Sequence, residues 1–266
     1  MNETAISVKN LSRNFGSLQA VKNISFEVKQ SEIFAFLGPN GAGKTTTINI
    51  LCTLLMPTSG EATVNGFNVV TFPNEVRKSI GIIFQDPSLD ERLSAYENLN
   101  FHGMIYHLPL RTRKTRIEEV LNIVGLYSKK DHIVRTFSGG MKRRLEIARG
   151  LMHNPKVLFL DEPTTGLDPQ TRQHIWDYIL NLSLRDKITI FLTTHYMDEA
   201  EICQRVGIID YGKIVALDTP SALNSKYNVS SLNDVFLEVT GRDIREEESD
   251  EKERLGQFIK ARSKLR

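Results

Sequence analysis

The sequence predicts an α/β fold in which a parallel sheet is crossed by helices and interrupted by a helical insertion. Three observations carry this. Short apolar runs with strand character alternate with helix-spaced segments over most of the chain. One of those runs, Ile33–Leu37, leads directly into a glycine-rich loop and then a helical stretch. From about Asp86 to His153 the strands give way to mostly polar sequence with helical spacing.

In chain order, AISV (5–8), ISFEV (24–28) and IFAFL (33–37) read as strands. The unbroken apolar character of the third predicts a strand covered on both faces. GPNGAGKTTT follows, then helical INILCTLL. In EATVNGFNVV, Asn65-Gly66 stands between two β-rich pieces, a hairpin signal because both residues tolerate positive φ. IGIIF (80–84) is a further strand, ending at Gln85. The polar middle is broken at Pro109 and Gly125 and closes with FSGGMKRRLEIARG (137–150), where Met141, Leu145 and Ala148, with Met152 beyond, share one helical face. Strands resume as VLFL (157–160), ITIFL (188–192), VGIID (206–210) and KIVAL (213–217), the last two hinged at Tyr211-Gly212, with TRQHIWDYILNL as a helix among them. Beyond Pro220, SLNDVFLEVTG precedes an acidic run, EEESDEKE, which reads as a solvated helix or a disordered stretch, and a basic end, KARSKLR.

The 266 residues, 40% hydrophobic and 25% charged, describe an ordinary globular chain with a sizeable core. A formal charge of +2 argues against nucleic acid as the main partner. The basic cluster RTRKTR (111–116) reads as a solvated helix start. Cys52 and Cys203 lack metal-ligand spacing and read as buried free thiols of a reducing cytosol. No leader pattern is evident at the N-terminus, and no apolar run approaches the ~20 residues that span a bilayer. The chain is therefore expected to be cytoplasmic, with any membrane pathway supplied by another polypeptide.

Gly38-Pro39-Asn40-Gly41-Ala42-Gly43-Lys44-Thr45 matches G-x-x-x-x-G-K-[ST] between a strand and a helix, the context that gives the pattern its mechanism. Glycines let the backbone curl so that successive N–H groups converge on a phosphate. Lys44 supplies a point charge for β- and γ-phosphates, and Thr45 a hydroxyl for Mg²⁺. In VLFLDEPTTGLDP (157–169), four apolar residues end in Asp161 and Glu162, placing two carboxylates at the sheet edge where α/β folds bind ligands. Asp161 suits Mg²⁺, and Glu162 suits orienting or deprotonating a water. Gln85 and His195 also terminate apolar strands; each alone would be an ordinary surface amide or structural histidine, and each gains weight from the shared edge. Phe15 by itself reads as core packing. Ser138-Gly139-Gly140, directly before a helix, makes a second anion site from unpaired N–H groups and the helix dipole.

GPNGAGKTT, Gln85, FSGGM, LFLDEP, GLD and His195, in this order and spacing, resemble the ATP-binding cassette (ABC) family over roughly residues 4–220. The resemblance implies a P-loop NTPase (RecA-like) core with an antiparallel β-subdomain at 1–85 and 154–220. It adds a helical signature subdomain at 86–153 and a C-terminal extension at 221–266. It also implies hydrolysis of ATP with Mg²⁺ in a head-to-tail dimer of cassettes, here a homodimer, each chain's Ser138-Gly139-Gly140 meeting the nucleotide held by the other. By that resemblance Phe15 is the aromatic that stacks on adenine, with Ala20 nearby, and Gly38 through Thr45 and Thr46 form the Walker A loop. Gln85 is the Q-loop residue that senses Mg²⁺ and γ-phosphate and couples to the transporter. Asp161 and Glu162 are the Walker B pair, Asp168 the D-loop residue and His195 the switch histidine. Two residues depart from the common pattern: Met141 stands where the signature usually has Gln, and Phe15 where Tyr is commoner.

A finer resemblance, in FQDPSLDERLSAYENL and LNDVFLEVTG, is to the daunorubicin-resistance-like export ATPases that pair with six-helix membrane subunits of the ABC-2 type. The reading that results is the ATPase subunit of an ABC transporter, an exporter, peripheral on the inner face of the cell membrane through a permease subunit. The alternative is a soluble ABC-type ATPase acting on ribosome or DNA. Such proteins usually carry two cassettes or long coiled coils, and this sequence has neither pattern. Intact Lys44, Glu162 and His195 argue against a catalytically weak scaffold.

Overall fold

The structure, a computed structural model, describes residues 4–85 and 88–241. The runs EEESDEKE and KARSKLR lie outside these residues. Along the chain the elements are β1 (Thr4–Phe15), β2 (Leu18–Lys29), β3 (Ile33–Leu37), α1 (Lys44–Leu51), β4 (Ser59–Val64), β5 (Phe67–Asn68), α2 (Pro73–Ser79) and β6 (Ile80–Ile83). Then come α3 (Ala95–Ile105), α4 (Leu110–Ile123) and α5 (Gly139–Gly150). The chain returns through β7 (Val157–Asp161), α6 (Pro169–Leu184), β8 (Thr189–Thr194), α7 (Met197–Ile202), β9 (Arg205–Asp210) and β10 (Lys213–Asp218), and finishes with α8 (Pro220–Tyr227) and α9 (Leu232–Thr240).

Period-two alternation in the apolar strands decides how the layers meet. Six strands form one sheet in the order β10-β9-β3-β8-β7-β6, and all are parallel except β10, which runs antiparallel to β9. The expected parallel sheet thus acquires an antiparallel edge, because the short turn at Tyr211-Gly212 can only return the chain beside itself. On one face Phe34, Phe36, Phe159 and Phe191 pack with Ile6, Val8, Phe26 and Val28 of a second, four-stranded antiparallel sheet ordered β2-β1-β4-β5. Phe26 bridges the sheets, stacking on Phe34 with ring centroids 5.6 Å apart. On the other face Ile33, Ala35, Leu37, Leu158, Leu160, Ile190 and Leu192 meet the helices. Each large apolar side chain so buried contributes about 1.5–3 kcal/mol.

β1 and β2 are each 12 residues long, well beyond the short runs AISV and ISFEV. Their extra length alternates buried and exposed residues on a sheet with one wet face, a pattern a short apolar window does not register.

The insertion between β6 and β7 is helical. Ser94 and Glu97 form a reciprocal capping box that starts α3, with Ser94 N–H donating to Glu97 Oε2 at 2.7 Å and Glu97 N–H to Ser94 Oγ at 3.2 Å. Pro109 starts α4. The RTRKTR cluster is only partly solvated, as Arg113 donates to Asn100 Oδ1 on α3 at 2.7 Å and Arg116 to the Leu151 carbonyl beyond α5 at 2.8 Å. Two of its cations therefore staple α4 to its neighbours. At the far end α9 buries Leu232, Val235 and Phe236 beside α7, α8 and β10. Cys52 and Cys203 are buried free thiols, and burial pushes both well above the ordinary thiol pKa. Among the described residues, no helix is long and apolar enough to cross a membrane.

Candidate active site

The parallel strands deliver their C-terminal ends to one edge, and the polar residues following β3, β6, β7 and β8 gather there. Gly38 to Thr46 wraps from β3 into α1. Gly43 has φ +106°, and a Cβ there would lie 2.6 Å from the Ala20 carbonyl oxygen, so only glycine lets β2 approach the loop this closely. Ala42 is buried and its carbonyl accepts from Gly212 N–H at 2.9 Å, tying the loop to the β9–β10 turn.

Lys44 is 5% exposed; its ammonium donates to the Gly38 and Pro39 carbonyls at 2.7 and 3.1 Å and lies 3.5 Å from Glu162 Oε1. Thr45 donates to Asp161 Oδ2 at 3.3 Å, while Thr193 donates to Asp161 Oδ1 at 2.5 Å. Glu162 occupies the left-handed region, φ +47°, unusual for a non-glycine residue. Its N–H is held by the Thr193 carbonyl and hydroxyl at 3.2 and 3.1 Å. Its carboxylate meets His195 Nδ1 at 3.3 Å and accepts from Thr165 at 3.2 Å. Burial works to raise the Glu162 pKa, but the hydrogen bond from His195 and the charge of Lys44 outweigh it and hold the carboxyl below its ordinary value.

A cleft of about 300 Å³ opens over this edge, lined by Phe15, Leu18, Ala20, Pro39, Asn40, Gly41, Gly43, Lys44, Thr45, Thr46, Gln85 and Glu162. Phe15 is 45% exposed, so the core-packing reading of this residue fails: it lies at the turn end of β1, where no second layer covers it. Gln85 sits in the bend after β6. Gly38 and Ala42 are buried beneath the loop.

Ser138, Gly139, Gly140 and Asp168 are brought together elsewhere. Ser138 is exposed and caps α5, accepting from Met141 N–H at 3.3 Å. A Cβ on Gly140 would fall 2.3 Å from Thr171 Cγ2, and Asp168 accepts from that same Thr171, at 3.0 Å from its N–H and 2.6 Å from its hydroxyl. The turn before α5 and the start of α6 thus form one surface, separate from the cleft-lining set. Met141 packs, half-buried, against the helical core, which accounts for an apolar side chain where an amide is common.

Three contributors escaped the sequence reading. Arg143 on α5 donates to the carbonyls of Phe84 (2.6 Å), Asp161 (3.2 Å), Glu162 (3.3 Å) and Pro163 (2.6 Å), and pairs with Glu146 at 3.0 Å. Glu146 in turn accepts from Ser88 N–H at 2.8 Å. Glu199 on α7 accepts from Thr164 and, at 2.7 Å, from Thr194, joining the loops that carry Glu162 and His195. Thr193 positions Asp161. The only local signal for the first was an Arg and a Glu three apart on α5, on the side of the helix opposite Met141, Leu145 and Ala148.

As chemistry, the edge offers a backbone cradle with a lysine for phosphate, hard oxygens at Thr45 and Asp161, and an ionised carboxylate braced by a histidine. Residues 21–165, more than half of the chain, match the family described as ABC transporter. The chain is 41% identical over 241 residues to the linearmycin resistance ATP-binding protein LnrL of Bacillus subtilis, covering 87% of this chain and 77% of that one. It is 38% identical over 243 residues to the daunorubicin resistance ATP-binding protein DrrA3 of Streptomyces coeruleorubidus, covering 91% and 76%. Its fold is similar to a dimeric post-hydrolysis state of the ATP-binding cassette MJ0796 bound to ADP and Pi, with a TM-score of 0.71 at 28% identity over 80% of this chain and 98% of that one. Sequence and fold agree with the phosphate chemistry of the sheet edge: the chain belongs to the ABC transporter family, as an ATP-hydrolysing subunit of such a transporter.

Proposed function

We propose that the chain works as one of two identical cassettes that close around two nucleotides and drive a separate membrane subunit. The ATP-binding core would comprise 1–85 and 154–220, with 86–153 as the signature-bearing helical subdomain and 221–266 as an extension. The convergence of Lys44, Thr45 and Glu162 on one cleft, with buried Asp161 bound to Thr45, carries the reading. Phe15 offers a ring to adenine beside Ala20, and the loop from Gly38 through Pro39, Asn40, Gly41, Ala42, Gly43 and Thr46 presents its N–H groups to the phosphates. Lys44 exchanges Glu162 for phosphate oxygens. Glu162, released and ionised, orients the attacking water and accepts its proton, while His195 contacts the γ-phosphate. Gln85 reports the γ-phosphate to the α3 region.

Thr45 and Asp161 fit Mg²⁺, with Gln85 at the same mouth. Their hard oxygens are few, and among the described residues no group of three or more His, Cys, Asp or Glu could hold a metal. Magnesium bound mostly through substrate phosphates has this kind of site. There it would neutralise charge on the phosphate oxygens.

Ser138, Gly139, Gly140 and Asp168 do not line the chain's own cleft, which supports their serving the nucleotide of a second copy. Exposed Phe101, Met104 and Ile105 on α3 and Leu110 on α4 support docking to an apolar partner, here an integral permease of ABC-2 type. On this reading the chain lies on the cytoplasmic face of the membrane, held there through the permease. The drug-resistance relatives support an exporter whose substrate is selected by the permease. Glu162→Gln is the test. ATP affinity is expected to persist, turnover to fall about 10²–10⁴-fold, and size-exclusion with Mg-ATP to show a dimer. Full hydrolysis with only monomer overturns the assignment.

A further inference from the structure

We propose that Arg13 is a positioning residue for the nucleotide base: its guanidinium backs the Phe15 ring and holds it as a polarised platform. The inference rests on the reading of Phe15 as the surface for adenine. The Arg13 guanidinium carbon lies over the Phe15 ring, 4.6 Å from its centroid. The same side chain is pinned, Nη1 donating to the Met56 carbonyl at 2.9 Å. Met56 follows the C-terminal end of α1, whose first residue, Lys44, stands at the phosphate loop. Phe15, Leu18 and Ala20 line the cleft and Arg13 does not. In the proposed arrangement Arg13 covers the ring face turned from the cleft and leaves the other face open.

Two physical consequences follow. Phe15 sits at the tip of the β1–β2 hairpin, 45% exposed, where an unsupported ring would turn freely about its side-chain torsions. A guanidinium fixed on one face removes that freedom before the ligand arrives, lowering the ordering cost of binding. A cation on one face also withdraws π density, which improves the opposite face for stacking against an electron-rich purine. Phenylalanine carries no hydroxyl with which to anchor its ring, so the restraint has to come from a neighbour.

The experiment compares the affinities of ATP and inorganic tripolyphosphate for the full-length chain, Arg13→Met, Arg13→Lys, Phe15→Ala and the Arg13→Met/Phe15→Ala double variant, by titration calorimetry. Arg13→Met keeps the apolar stem and removes the cation. ATP binding is expected to weaken about two- to fivefold, with tripolyphosphate binding unchanged, Arg13→Lys falling between, and no further loss from Arg13→Met once Phe15 is absent. Tripolyphosphate affinity also verifies that each variant is folded. Equal weakening toward both ligands, or none toward ATP while Phe15→Ala weakens it, overturns the role of Arg13 alone. Unchanged ATP affinity in Phe15→Ala overturns the platform reading itself, and this inference with it.

Discussion

Glu162 concentrates the chemistry into one strained residue. Its positive φ is sustained because Thr193 holds its N–H twice and Arg143 holds its carbonyl. That backbone turn aims the carboxylate at Lys44 and His195 and leaves Asp161, one residue earlier, facing Thr45. Two adjacent carboxylates thereby acquire different partners. Lys44→Ala removes the charge reaching the phosphates, and hydrogen bonds to charged groups are worth about 1.5–3 kcal/mol. ATP affinity is therefore expected to fall about tenfold or more, read by calorimetric titration; unchanged affinity would sink the phosphate-loop assignment.

At the scale of the element, α5 does more than present Ser138 at its first turn. Through Arg143 and Glu146 it grips the ends of β6 and β7 and the Ser88 backbone, and Arg149 adds donors to the Ser88 carbonyl, at 3.0 Å, and hydroxyl. On the proposed reading, the helix offered to one nucleotide is thus hydrogen-bonded to the strand ends flanking the other. Burial lowers the Arg143 pKa and Glu146 opposes it, as expected of a desolvated pair whose members depend on one another. Arg143→Ala leaves Glu146 1% exposed and without its cation, and should cost about 3–5 kcal/mol. An Arg143→Met/Glu146→Leu double variant should recover most of that loss. Urea denaturation checks both, and a single variant as stable as the parent would show that the pair is not a clamp.

For the whole molecule, the proposed pairing of the exposed Ser138 surface with the cleft of a second copy sets the test. Ser138→Arg should spare ATP binding to the monomer, since Ser138 does not line the cleft, while abolishing cooperative hydrolysis. Equilibrium binding and the ATP dependence of turnover, measured side by side, separate the two effects. Retained cooperativity would mean that the turn before α5 serves no partner nucleotide.

Much of this was legible from residues alone. Wherever function rests on local backbone chemistry, as in Gly38–Thr45, the Asn65-Gly66 turn or the apolar strand ending in Asp161 and Glu162, neighbours in sequence are neighbours in space. β10 was legible as a strand but not as an antiparallel edge, because pairing direction depends on the turn before it. The exposure of Phe15 and the partial burial of the RTRKTR cluster were not legible, because exposure is set by which layer lies opposite. Arg143, Thr193 and Glu199 stayed hidden, since their partners lie up to 59 residues away in sequence.

The sequence by itself determined the family, the phosphate cradle and the order of strands and helices, since each follows from short-range periodicity and motif spacing. Only the tertiary structure decided that Lys44 faces Glu162, that α5 clamps the strand ends and that Arg13 lies behind Phe15. Those contacts exist because packing two sheets and a helical layer brings distant side chains into a common low-dielectric edge, where each buried charge must find a partner.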